Sequence, residues 1–253
     1  MKKLVMVMAA CLWAFSAGAV SYPPDRPSYI GHRGARGLAD ENTLESLKLA
    51  VDLGVDMLEF DIQRTRDGVF VLMHDETVDR TTNGHGRVDQ MTLAEFKKLK
   101  TKSGFTPPTL EEVLEWLTTN TVYFMIDFKI PDPEAAKELI TLVERHGLLN
   151  RAIFESPEPK IAGMIEKLRP EVETALYPTK MLLMRYYIKK YNIDDASYYY
   201  PFANPLEIML VKKSGKRVIV WTVDSRIWIQ WFKRQKVNGI ISDNPRLFRP
   251  KCK

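Results

Sequence analysis

Apolar runs of strand length alternate with stretches of helical period along nearly the whole chain, and this alternation constrains the fold more than any other feature. The candidate strands are residues 29–32, 57–65, 122–128, 152–155, 174–177, 196–200, 218–222 and 239–242. Between them, apolar residues recur at helical spacing over 43–53, 110–118, 134–146, 159–168, 181–191, 205–213 and 226–234. Strand-then-helix repetition implies parallel strands, because a parallel neighbour is reached only through a long crossover. Eight strands with about as many helices predict an α/β fold, a (β/α)8 TIM barrel. The 253 residues suit one such barrel, and a hydrophobic content of 45% is ample for its core. There is no internal repeat and no low-complexity segment.

One unit departs from the pattern. After the second strand, residues 69–75 read as a short extended return, followed by a Gly/Thr-rich loop and a small helix over 93–99. This is a short insertion, about residues 75–108, carrying His74 over the barrel mouth and leaving that mouth fairly open.

Polar residues interrupt the apolar strands at one and the same end. His32 ends the first strand, Glu59 and Asp61 lie on the second, Asp127 and Lys129 end the third and Glu155 the fourth; Trp221 ends the seventh and Asp243 the eighth. Barrel active sites collect at strand C-termini. Residues two apart on a strand point the same way, so Glu59 and Asp61 share one side, as do Asp127 and Lys129.

The motifs themselves are GHRGARGLADENT at residues 31–43, EFD at 59–61 and LMHDETVDRTTNGHG at 72–86. Two imidazoles, a guanidinium and two carboxylates within one short stretch can bind a hard metal, neutralise a phosphate and move protons. Each histidine alone would more often be an ordinary surface or hydrogen-bonded residue. The succession of HRG, ENT, E-x-D, DG, HD and RTTNGHG resembles the glycerophosphodiester phosphodiesterase family. The resemblance runs from Tyr29 to Pro245 and continues through PTLEEVL at 108–114, IDFK at 126–129, WTVD at 221–224 and GIISDNP at 239–245. It implies a metal-dependent phosphodiesterase that cuts glycerophosphodiesters to sn-glycerol 3-phosphate and an alcohol such as choline or ethanolamine.

Carried onto this sequence, the resemblance makes Glu59, Asp61 and Asp127 the metal ligands. Geometry points the same way, since three carboxylates brought together without a cation would raise one another's pKa. Oxygen-only ligands favour Ca²⁺ or Mg²⁺, with Mn²⁺ also suited, over soft metals. The alternative is a metal-free network in which Glu59 and Asp61 pair with Arg33 and Lys129. The third family ligand is generally Glu, and here it is Asp127, whose missing methylene withdraws the carboxylate by roughly 1.5 Å.

His32 and His74 resemble the family's general acid/base pair, each able to contribute about 10² to 10⁴ in rate. A glycerol hydroxyl beside the ester would attack phosphorus intramolecularly, with effective molarities of about 10⁵ M or more favouring a cyclic phosphate; direct attack by water is the other route. Arg33 and Lys129 are suited to stabilising charge on the phosphoryl oxygens. Glu41 and Asn42 read as a helix-capping pair or, by resemblance, as residues of the substrate site, Glu41 near the metal or a catalytic histidine and Asn42 tying down the loop. Trp221 corresponds to the family's pocket wall, where it would meet the glycerol face, and is otherwise core filler. His85 and His146 receive no role.

The first residues, MKKLVMVMAACLWAFSAGAV, have a Lys2-Lys3 start, an apolar stretch and small residues ending at Ala19, the form of a cleaved secretory signal over residues 1–19. The apolar run is shorter than the roughly 20 residues a spanning helix needs; a lipid-modified Cys11 is a further alternative. The mature barrel would then be residues 20–253, exported to a periplasm or secreted, with an MKK start leaning towards a bacterium. Only Cys252 would remain, so no intramolecular disulfide forms. The formal charge of +5, or +3 without Lys2 and Lys3, is too mild and dispersed for nucleic acid. The expected partner is a small glycerophosphodiester, with no stable membrane span and at most transient contact with lipid; the oligomeric state is open. Two rivals stand. An apolar shelf of Tyr186, Tyr187, Tyr198, Tyr199, Tyr200 and Phe202 would favour a lysophospholipase D-type enzyme on acylated diesters. A catalytically silent phosphodiester-binding barrel would need the cations but not both histidines.

Overall fold

The structure is a computed structural model, and it describes residues 20, 22–23 and 25–249. The expected signal segment and both cysteines lie outside the described residues.

Eight parallel strands close into a barrel: β1 (Ser28–Gly31), β2 (Met57–Arg64), β4 (Tyr123–Phe128), β5 (Ala152–Ser156), β6 (Glu173–Leu176), β7 (Asp195–Tyr199), β8 (Arg217–Trp221) and β9 (Gly239–Ser242). Closure comes from β1, which pairs with β2 on one side and β9 on the other. The additional strand β3 (Phe70–Leu72) runs antiparallel to β2. The helices between strands are α1 (Leu44–Asp52), α3 (Leu110–Leu117), α4 (Pro133–Arg145), α5 (Pro159–Leu168), α6 (Met184–Tyr191), α7 (Pro205–Lys213) and α8 (Arg226–Arg234), with the one-turn α2 (Leu93–Phe96) in the insertion. The expected (β/α)8 barrel is thus the observed fold. No helix among the described residues is long and apolar enough to cross a membrane.

Period-two alternation sorts the strand residues into two cores. On β2, Leu58, Phe60 and Ile62 face outward and pack with the helices, among them Leu47, Leu114 and Leu139. Met57 faces inward with Ile30, Met125, Ile153, Ala175, Ile219 and Ile241, one residue from each of seven strands. These seven plug the barrel. Two residues further along every one of those strands the chain is at the C-terminal mouth, at His32, Glu59, Asp127, Glu155, Tyr177, Trp221 and Asp243. The apolar plug is therefore the floor of a polar layer, and strand geometry alone puts these seven side chains above it.

The insertion has its own small core of Val71, Met73, Val78, Val88, Phe96 and Leu99. Met73 N–H donates to the Asp61 carbonyl at 3.1 Å, extending the β2–β3 ladder by one step. That step sets His74 beside Asp61. The ENT segment behaves differently from a Glu-Asn cap, because Thr43 is the residue that caps α1, its hydroxyl accepting from Ser46 N–H at 3.1 Å.

Candidate active site

The two histidines lie beside different carboxylates of one cluster and are held alike. His32 Nδ1 lies 2.5 Å from Asp243 Oδ1, and its Nε2 lies 3.9 Å from Glu59 Oε2. His74 Nδ1 lies 2.6 Å from Asp75 Oδ1, and its Nε2 lies 3.9 Å from Asp61 Oδ1. A carboxylate can only accept, so each Nδ1 carries a proton and each Nε2 is the nitrogen left to exchange one at the cavity. Burial holds the His74 pKa below the usual imidazole value, with Asp61 only partly offsetting it.

Arg33 has a left-handed backbone, φ 49°, which aims its N–H at Glu59 Oε2, 2.8 Å away. Its guanidinium spans Glu41, at 2.7 Å, and Asp61, where Nε is 3.1 Å from Oδ2. The Nε hydrogen is not aligned with that oxygen, so the Asp61 contact is an ion pair without a hydrogen bond. Asn42, also left-handed at φ 56°, bonds Asp61 twice, donating to Oδ2 at 2.8 Å and accepting from its N–H at 3.1 Å. Lys129 Nζ contacts Asp61 and lies 2.8 Å from Asp127 Oδ2. Tyr177 O–H reaches both oxygens of Asp127, at 2.6 and 2.8 Å.

Glu59, Asp61 and Asp127 bring carboxylate oxygens within 4.8 Å of one another, all buried. Burial, then Asp61 and Asp127, push Glu59 well above the usual carboxylate range. Burial acts against the charged form of Asp61 too, but Lys129 and Arg33 prevail and hold it well below that range. Asp127 is pushed up to about 6, mainly by burial, and Glu155 up to about 8, by burial and by Asp127. The cavity thus holds four carboxylates, Glu59, Asp61, Asp127 and Glu155, against two cations, Arg33 and Lys129. Fully ionised, the set carries an excess of two negative charges, which a divalent cation would balance; the donor set is all oxygen and fits a hard ion.

The cavity is about 110 Å³ and is lined by His32, Arg33, Glu59, Asp61, His74, Asp127, Lys129 and Trp221 of the expected residues. Asn42 lies behind Asp61, and Glu41 sits on the far side of Arg33, in a neighbouring cavity of about 560 Å³ where Arg80 pairs with it at 2.7 Å. The lining also includes Glu155 and Tyr177, which no motif marks. Their signal was positional, each standing two residues beyond an inward apolar residue of its unit. Trp221 meets Tyr177 edge-on at 5.7 Å and Tyr199 at 5.4 Å.

Residues 32–247 match the sequence model described as the Glycerophosphoryl diester phosphodiesterase family. A glycerophosphodiester phosphodiesterase of Caldanaerobacter subterraneus is 33% identical over 233 residues, spanning 85% of this chain and 93% of that protein. One from Bacillus subtilis is 31% identical over 254 residues, spanning 89% and 86%. The crystal structure of glycerophosphodiester phosphodiesterase from Agrobacterium tumefaciens superposes with a TM-score of 0.77 at 27% identity, over 88% of this chain and 99% of that one.

Proposed function

The chain belongs to the glycerophosphoryl diester phosphodiesterase family of hydrolases, and from that premise we propose that it cleaves glycerophosphodiesters to sn-glycerol 3-phosphate and an alcohol. The observation that carries this reading is the pair of Nε2 atoms of His32 and His74, each 3.9 Å from a carboxylate of the cluster. A site built to bind alone needs cations, whereas this one also presents two proton-transfer groups with their outer nitrogens fixed.

One histidine takes the proton from the glycerol hydroxyl next to the ester as its oxygen bonds phosphorus. The other gives a proton to the alcohol oxygen as its bond to phosphorus breaks. Water then opens the cyclic phosphate, with the histidines exchanging roles. Arg33 and Lys129 offset charge on the non-bridging oxygens. Glu59, Asp61 and Asp127 would hold a divalent cation, Ca²⁺, Mg²⁺ or Mn²⁺, which when bound supplies Lewis-acid stabilisation of the phosphoryl group. Trp221 forms an apolar wall for the glycerol carbons.

The test is release of sn-glycerol 3-phosphate from glycerophosphocholine by metal-stripped protein, with each ion restored separately and His32→Ala in parallel. Activity that returns with a divalent ion and is absent in the variant is the expected result. Silence of the folded protein with every ion would sink this reading.

A second reading, hydrolysis of monoacyl phosphodiesters, is favoured by an apolar apron. Of the ten exposed large hydrophobic residues among the described residues, eight belong to the mouth side of three successive units: Leu182, Leu183 and Tyr186 after β6, Tyr199, Phe202 and Leu206 around the end of β7, and Ile227 and Trp228 after β8. Aromatic contacts connect it to the cavity, from Trp221 to Tyr199 at 5.4 Å and on to Phe202 at 6.3 Å. Of the shelf expected from the sequence, Tyr186, Tyr199 and Phe202 are exposed, whereas Tyr187 and Tyr200 are half-buried against the outer core. Tyr198 is buried, packing outward between strands and helices, because it alternates with Tyr199 on β7. Comparable turnover of lysophosphatidylcholine and glycerophosphocholine would support the second reading; turnover of the deacylated ester alone would remove it.

A further inference from the structure

We propose that Glu155 is a metal ligand in this chain, taking over the coordination that the short Asp127 cedes to Tyr177 and Lys129. The inference rests on the divalent-cation reading above.

Asp61, Asp127 and Glu155 are register partners on the three neighbouring strands β2, β4 and β5. Their side chains therefore project in the same sense, and Glu155 stands one strand beyond Asp127 with one methylene more. It points inward, since Ile153, two residues earlier, belongs to the barrel plug while Phe154 packs outward.

The other three carboxylates are already partly engaged. Glu59 accepts the Arg33 N–H, and Asp61 accepts from Asn42 and Lys129. Asp127 has Tyr177 on both oxygens and Lys129 on Oδ2. Glu155 is 4% exposed, and its Oε1, beside the likewise unpaired Ser197 hydroxyl, makes no hydrogen bond of ordinary geometry; it is the one carboxylate oxygen so placed among the described residues. Leaving a buried polar oxygen unpaired is costly. A buried, unpaired carboxylate oxygen on a residue that lines a cavity of four carboxylates and two cations is suited to a cation. Glu59, Asp61 and Asp127 are the one group among the described residues whose oxygens all lie within 4.8 Å of one another, and Glu155, on the next strand, would extend it.

The experiment is titration of metal-stripped protein with Mn²⁺, followed by calorimetry, for the wild type, Glu155→Gln, and Glu155→Gln combined with Asp127→Glu. Circular dichroism verifies that each is folded. Glu155→Gln is expected to weaken Mn²⁺ binding by at least about tenfold. The added Asp127→Glu leaves the charge count of Glu155→Gln unchanged but restores reach, so it should recover most of the lost affinity. Unchanged affinity in Glu155→Gln, with the wild type binding normally, overturns the proposal. A loss that Asp127→Glu does not recover also overturns it, because the effect is then one of charge alone. A wild type that binds no divalent ion overturns both this proposal and the reading it rests on.

Discussion

Asp243 holds His32 from behind, its Oδ1 2.5 Å from Nδ1, so that the opposite nitrogen faces Glu59 across the cavity. In the proposed mechanism the carboxylate fixes the tautomer and steadies the imidazolium that forms when Nε2 takes a proton. Asn at this position retains a carbonyl acceptor but loses the charge. Asp243→Asn is therefore expected to lower kcat on glycerophosphocholine by about 10- to 100-fold with KM little changed. Steady-state kinetics check it, and a change confined to KM would mean that Asp243 serves binding instead.

Gly34 explains why a glycine follows His32 and Arg33. Its φ is +81°, and a Cβ there would lie 2.6 Å from the Ser46 carbonyl carbon and 2.7 Å from Leu47 N. Ser46 cannot retreat, because its hydroxyl accepts from Ala35 N–H and donates to the Arg33 carbonyl. Gly34→Ala should cost about 2 to 4 kcal/mol, combining left-handed strain with a backbone clash. Urea unfolding measures it; a midpoint equal to that of the wild type would show that α1 shifts freely.

What the sequence made legible was whatever is local. Each strand is an apolar run and each helix a 3.6-residue period, so the barrel can be read unit by unit, and EFD and IDFK carry their carboxylates in plain view. What stayed hidden depends on closure. Asp243 reaches His32 only because β9 pairs with β1, and Glu155 joins Asp61 only through the shared register of β2, β4 and β5. Tyr177 lies just beyond β6 in a run without a motif, and only its place above Ala175 marks it. The Tyr198-Tyr199-Tyr200 run misled for a related reason, since it crosses a strand end and its members face the helix layer, the mouth and a turn in succession.

Arg80 ties the insertion to the first βα loop and produces a pH signature. Burial works against ionisation of Glu41, yet bonds from Arg80 and Arg33 hold its carboxyl at about 2; Asp75, likewise opposed by burial, is held at about 2 by Arg80 and His74. Both folded-state values lie below the ordinary carboxylate range. Their stabilisation is thus complete above that range and is lost as pH falls through it towards about 2. Arg80→Leu should be less stable at neutral pH but lose less stability on acidification from about pH 5. Urea midpoints measured across that window check it, and parallel curves for the two proteins would remove Arg80 as the group responsible.

The apron beside Trp221 gives a prediction that separates acyl binding from chemistry. Phe202 and Trp228 are 46% and 42% exposed, and neither lines the catalytic cavity. Contact with an acyl chain that buries about 100 Å² of apolar surface is worth about 2.5 kcal/mol, so losing half of it corresponds to about an eightfold change in kcat/KM. Glycerophosphocholine has no chain to place there and gains nothing from the apron. The double variant Phe202→Ser, Trp228→Ser should therefore lose about eightfold or more in kcat/KM on lysophosphatidylcholine below its micellar concentration while keeping wild-type turnover of glycerophosphocholine. An equal fall on both substrates would mean that the substitutions disturb Trp221 through Tyr199, and no fall on either would mean that the chain lies elsewhere.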